Sequence, residues 1–291
     1  MDSALVSVGL PIALAIIMFG LGLSLTPADF RRVAHEPKAV VIILLCQVIL
    51  LPLVAFGLTK AMSLEAALAV GMMILAASPG GTTANLYSHL FRGDVALNIT
   101  LTAINSLMAL ITLPIVVNLA LGHFMSGEES VGMQPSKLLQ VFAIVLVPVV
   151  IGMFVRAKAP GFADAADKPV RIASAVLLFL VVIGAILGDK ENVGDYLAQV
   201  GVITTLFCVL SLTIGYVLPR LLGLTQPQAV ASGFEIGIHN STLAIAVALS
   251  VLENTTMGVP PAVYGILMFP IAALFGMGIT RMSGQRANVA A

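Results

Sequence analysis

Charge is scarce in this sequence of 291 residues: acids and bases together make up 10% of it, against about 25% in an ordinary soluble domain. A chain so poor in charge cannot clothe a water-facing surface of its own, and its formal net charge of zero offers no field to attract nucleic acid. Cysteine is nearly absent as well. Cys46 and Cys208 are the only two, and both fall inside apolar stretches, where a thiol reads as a small packing residue and not as half of a disulfide framework or a metal ligand. Catalytic signatures are missing too: there is no His-Glu-x-x-His, no Gly-x-Ser-x-Gly and no paired aspartates. The first apolar run has spanning length and no basic segment before it, so it reads as a retained helix, not a cleaved leader.

What is present is apolar length. Hydrophobic residues make up 59% and mean hydropathy is +1.08. At about 20 residues per span, nine segments can be placed, at 5–25, 38–59, 64–90, 95–121, 137–155, 170–187, 199–219, 227–252 and 261–280. The connections between them are too short for a separate soluble domain. The expectation is an all-α polytopic membrane protein over residues 1–291. The bias of Lys and Arg toward alternate loops puts the N-terminus outside and the C-terminus in the cytoplasm.

One stretch inside these spans is out of keeping with the rest: Phe234-Glu235-Ile236-Gly237-Ile238-His239-Asn240-Ser241-Thr242. It places a carboxylate and an imidazole at membrane depth, where a charge costs a few kcal/mol even on lenient scales, and such residues mark ion or substrate handling by default. The alternative is a protonated Glu235 hydrogen-bonded between helices. Gln47, in an otherwise apolar second segment, is either interhelical glue or an ion ligand, and Pro52 further along is expected to disturb that helix. Ala77-Ser78-Pro79-Gly80-Gly81-Thr82-Thr83-Ala84-Asn85 interrupts the third segment with helix breakers and polar side chains. Unwound backbone at that depth is tolerated only against protein or an aqueous cavity. In the fourth segment Asn98, Thr102 and Asn105, spaced by four and three, share one helix face.

Segments 2–4 and 7–9 repeat one layout, a long helix, an interrupted helix and another long helix. The offset is about 160 residues with reversed orientation, the pattern that points to a midplane transport site. Half-helix N-termini there would present N–H groups to an anion. Unwound carbonyls, amides and the single carboxylate of Glu235 would make an oxygen cage suited to Na⁺. An intramembrane enzyme using Glu235 and His239 as acid and base is the reading from another class, and the absence of supporting motifs sets it aside.

Four motifs carry a resemblance over essentially the whole chain: Ile17-Met18-Phe19-Gly20-Leu21-Gly22-Leu23, Pro79-Gly80-Gly81-Thr82-Thr83-Ala84-Asn85, Arg92-Gly93-Asp94-Val95-Ala96-Leu97 and Glu235-Ile236-Gly237-Ile238-His239-Asn240-Ser241. Together they resemble the bile acid:sodium symporter family. The resemblance implies a core domain from segments 38–121 and 199–280, moving against a panel of segments 5–25, 137–155 and 170–187. It implies one sodium site at Asn85, Asn98, Thr102 and Glu235 with Ala84, and a second at Glu235, Gln47, Ile236, Ile238 and His239. Thr82 and Asn240, with the adjoining Thr83 and Ser241, match positions near the substrate. The family commonly has Ser where Ala84 and Asn98 stand, and often Gln where His239 stands. Because imidazole is a poor sodium ligand, the chain is expected either to couple through one Na⁺ or to let His239 carry a proton in place of the second. The resemblance implies Na⁺-coupled import of an organic anion, bile-acid-like or a small carboxylate, across the lipid bilayer of a bacterial inner membrane. A proton-coupled transporter of the same architecture is the runner-up.

Overall fold

The computed structural model describes residues 10–25, 36–125, 135–166, 169–170, 172–173, 176 and 193–289. Most of the sixth expected span, 170–187, and residues 5–9 of the first lie outside the described residues. Within them the chain is helical throughout, and its only extended pairing is one isolated antiparallel bridge. The main helices in chain order are α1 Leu10–Ser24, α2 Pro37–Ala61, α3 Ala66–Ala77, α4 Thr83–Leu90, α5 Val95–Phe124, α6 Pro135–Lys158, α7 Val193–Leu221, α8 Gln226–Gly237, α9 Ser241–Ser250 and α10 Thr255–Val289, with a further helical stretch at 160–166 between α6 and α7.

Among the described residues four stretches are long and apolar enough to cross a membrane: Pro37–Ala61, Val95–Phe124, Val200–Leu221 and Thr255–Arg281. Their outer faces are dressed for lipid. On α2, Val41, Leu45, Ile49 and Leu53 form a stripe at intervals of four, each more than half exposed, and Ile111, Ile115 and Leu119 form another exposed stripe on α5. Large aliphatic side chains turned outward at helical spacing suit hydrocarbon, where every backbone group must be satisfied within the protein. The chain is an all-α membrane protein.

Pro52 disturbs α2 by a specific route. Lacking an N–H, it cannot close its own turn. The helix widens just before it into one π turn, Cys46–Leu50, with the Leu51 N–H on the Cys46 carbonyl. Gln47 sits in that turn, 3% exposed, and such single turns recur at functional sites. Both Cys46 and Cys208 are free and buried.

The Gly-rich stretch of α1 serves packing. A methyl at Gly22 would lie 2.9 Å from the Gly152 Cα and would overlap the Val149 carbonyl of α6, so only a bare Cα lets these two backbones approach so closely. Arg156 of α6 then ties the far end, donating to the Leu23 carbonyl and to Asp164.

The segment 64–90 is two helices. Ser78 takes an extended conformation (φ −71°, ψ 145°), as the residue before a proline must, and α3 stops there. The segment 226–250 is likewise divided, α8 ending at Gly237 and α9 starting after Asn240, whose side chain accepts from the Leu243 N–H at 3.0 Å. The two breaks cross. Gly81 N–H donates to the Ile238 carbonyl at 2.6 Å and Asn240 N–H to the Pro79 carbonyl at 2.8 Å, so each unwound strand satisfies the other where no water or helix can.

Candidate functional site

Glu235 lies at this crossing with no exposed surface. The last turn of α8 carries it there, and Gly80 makes room: a methyl at that position would overlap the carboxyl group. The face of α5 seen in the sequence meets it. Asn98 Nδ2 donates to Oε2 at 2.7 Å, Thr102 Oγ1 donates to Oε2 at 2.6 Å, and Asn105 Nδ2 donates to Oε1 at 3.1 Å. The Gly80 backbone lies directly against the carboxyl group. These side-chain contacts all aim donors at the carboxyl oxygens, and hydrogen bonds of that sense are stronger to an ionised acceptor. Asn98 is itself fixed, because its Oδ1 accepts from the Ser88 hydroxyl of α4 at 2.5 Å.

Gln47 and His239 form the adjoining part. Gln47 Nε2 donates to the Ser78 carbonyl at 3.0 Å and stands 3.5 Å from His239 Nδ1. The imidazole stacks on Phe207 with centroids 5.4 Å apart and planes 7° from parallel, and Tyr264 covers it at 5.4 Å and 45°. The Tyr264 hydroxyl donates to the Gly237 carbonyl at 2.8 Å, taking up one of the acceptors that the end of α8 leaves over.

The remaining expected ligands are placed with less contact. Asn85 Oδ1 is buried without a partner and makes no bond to Glu235. Ala84, Ile236 and Ile238 are fully buried, and the Ile238 carbonyl is occupied by Gly81. Of the four expected near substrate, Thr82 is exposed, Thr83 and Asn240 half-buried, and Ser241 buried with its hydroxyl unpartnered. Thr82 and Thr83 start α4 and Asn240 and Ser241 start α9, so all four sit at half-helix N-termini. Sequence reasoning assigned no part to Asn105, though its place on the stripe signalled it. It passed over Ser88, Phe207 and Tyr264, for which the one available signal was a lone phenol in an apolar span that must find a hydrogen-bond partner.

An all-helical membrane protein with one fully buried carboxylate among its described residues, at the crossing of two interrupted helices, has the anatomy of a secondary transporter. The model of the sodium bile acid symporter family matches residues 11–196, and the chain belongs to that family. It is 30% identical over 260 residues to YocS, an uncharacterized sodium-dependent transporter of Bacillus subtilis, covering 88% of this chain and 78% of that one. It is 28% identical over 277 residues to the human ileal sodium/bile acid cotransporter, covering 94% and 79%. These relatives are transporters and not enzymes, and Na⁺ is the coupling ion that the family implies.

Proposed function

We propose that the protein is a symporter that couples Na⁺ entry to import of an organic anion by alternating access. The observation that carries this reading is Glu235, the one fully buried carboxylate among the described residues, set among amide and hydroxyl side chains where two broken helices cross. Asn98 and Thr102 each need only turn an oxygen toward the carboxylate to replace its donors with a hard monovalent cation, and the buried Asn85 Oδ1 has no partner of its own. In this reading the first ion lies among Asn85, Asn98, Thr102 and Glu235, with Ala84. A second ion would adjoin Glu235, Gln47, Ile236, Ile238 and His239.

The anion group of the substrate would meet the N-termini of α4 and α9, at Thr82, Thr83, Asn240 and Ser241, where free N–H groups and the helix dipoles favour negative charge. The substrate class, bile-acid-like or a smaller carboxylate, is carried by the family likeness. The same reading divides nine spans into a core of segments 38–121 and 199–280, related by an inverted repeat, and a panel of 5–25, 137–155 and 170–187. It sets the chain in a bacterial inner membrane with the N-terminus outside and the C-terminus in the cytoplasm.

Proton coupling through His239 is the second reading, favoured by a buried Nε2 without a partner. Against it, Nδ1 faces an amide donor, and a charged imidazole would set donor against donor there. Uptake into liposomes under an imposed Na⁺ gradient, compared with an imposed pH gradient, decides between them. Sodium-driven accumulation that disappears in Glu235→Gln supports symport. Accumulation driven by pH alone overturns it.

A further inference from the structure

Asn98 and Thr102 both give hydrogen bonds to Glu235 Oε2, and they differ in how easily they let go. The Thr102 hydroxyl carries one hydrogen and has two acceptors in reach, Oε2 at 2.6 Å and the Asn98 backbone carbonyl at 3.0 Å. A rotation about its C–O bond releases the carboxylate and leaves a lone pair facing it. Asn98 is harder to release. Its amide spans two partners, Nδ2 donating to Oε2 at 2.7 Å and Oδ1 accepting from the Ser88 hydroxyl at 2.5 Å, and the residue has no exposed surface. Turning its oxygen toward an ion at Glu235 swings the amide nitrogen to where the Ser88 hydroxyl lies.

The group at that place decides whether the turn is possible. A carbonyl there would only accept and an N–H would only donate, so either would hold the amide in one orientation; a hydroxyl does both. Ser88 is also held still. It is fully buried on α4, its carbonyl accepts the Gly93 N–H at 2.7 Å, and a methyl on Gly93 would come within 3.3 Å of the Ser88 Cα. Asp94 then caps α5, accepting from the Leu97 N–H at 2.9 Å. This turn ties the end of α4 to the start of α5, and so fixes the hydroxyl against an amide ten positions further along the chain.

We propose that Ser88 is a positioning residue for the coupling ion: its hydroxyl donates to Asn98 Oδ1 while the amide nitrogen serves Glu235, and accepts from Nδ2 once the amide oxygen faces a monovalent cation. The proposal deepens the sodium-coupled reading and rests on it. In Ser88→Ala, the amide that serves Glu235 leaves a carbonyl oxygen short of a partner, whereas the amide that serves the ion strands a buried N–H, the rarer defect in folded proteins. Loss of the hydroxyl therefore weakens ion binding and not the fold alone.

The test is thermal unfolding of the purified full-length protein in detergent, titrated with NaCl against choline chloride at constant ionic strength, since an ion that binds only the folded state raises apparent stability. Ser88→Ala is expected to raise the half-saturating Na⁺ concentration about tenfold. Ser88→Thr, which keeps a hydroxyl, is expected to stay within about twofold of wild type. In Asn98→Ser, which has no amide to turn, adding Ser88→Ala is expected to change half-saturation by less than about twofold, because residues that act as one unit are not additive. Should Ser88→Ala be too unstable to purify, Ser88→Cys, with a weak donor and acceptor, carries the same expectation at reduced size. A lowered unfolding temperature with unchanged half-saturation in Ser88→Ala overturns the positioning role, as does a Ser88→Thr as weak as Ser88→Ala, or an undiminished effect in the Asn98→Ser background. Each of these leaves the sodium reading standing so long as Glu235→Gln still abolishes the response. A wild type that does not distinguish Na⁺ from choline overturns both.

Discussion

The two breaks that meet at the centre of this protein are built from opposite materials. The first, Ser78 to Thr82, is made by a proline and two glycines and contributes mainly backbone: Gly80 against the carboxyl group, the Pro79 carbonyl and Gly81 N–H to the bridge, and an α4 whose Thr82 makes no side-chain cap. The second, Ile238 to Asn240, contains neither proline nor glycine. It begins three residues after Glu235 and is finished by side chains, with Asn240 capping α9 and Phe207 and Tyr264 closing over His239. One break supplies space and bare amides, and the other supplies charge. Neither makes the proposed ion site alone, and their difference predicts different responses to mutation.

The largest effect is expected where charge is removed. Glu235→Gln should abolish Na⁺-specific stabilisation and Na⁺-driven uptake while the helices persist, checked by unfolding in NaCl against KCl and by liposome transport. Next comes the space that the first break provides. Gly80→Ala forces a methyl into the carboxyl group and should lose transport together with about 1–3 kcal/mol of stability. Gly237→Ala, at the end of α8, meets only the Leu212 side chain and α7 backbone. It should cost stability on the same scale with the Na⁺ response intact, and a lost response there would erase the distinction between the two breaks.

Smaller effects sharpen the comparison. Asn240→Ala removes a formed cap and should lower stability by about 0.5–2 kcal/mol. Thr82→Ala removes none and should stay within about 0.5 kcal/mol, while both weaken anion-dependent stabilisation of the purified protein. Smallest is Tyr264→Phe, which frees the Gly237 carbonyl. At about 0.6 kcal/mol for an average buried hydrogen bond in a membrane, it should lower the unfolding temperature slightly and leave sodium affinity unchanged.

These contrasts also explain what could be read in the sequence. The membrane class follows from hydropathy alone; helical spacing puts Asn98 and Thr102 on one face, and their meeting with Glu235 was implied by the family resemblance. The first polar cluster carries Pro79, Gly80 and Gly81, whose local chemistry announces a break without any tertiary partner. The second was marked only by the misplaced Glu235 and His239, because its distortion is sustained by contacts from α3, α7 and α10 that no local pattern encodes. Pro52 signalled a disturbance, but whether it becomes a kink or a π turn depends on where Gln47 finds the Ser78 carbonyl. The stacking of His239 was illegible for the same reason: Phe207 lies 32 positions away in an ordinary apolar helix.

The bridge between Pro79–Gly81 and Ile238–Asn240 has a consequence for how the chain is made. Asn240 leaves the ribosome 160 positions after Gly80, which at roughly 5–20 residues per second is about 8–30 s. Through that interval the Gly81 N–H and Pro79 carbonyl have no partner strand, and hydrocarbon cannot stand in for one. The first half of the protein must therefore wait beside the insertion machinery, its broken helix sheltered by water or by other protein, until the second half arrives to close it. Biogenesis of this transporter is a late docking of two halves, and a chain cut between them is a substrate for membrane quality control before it is anything else.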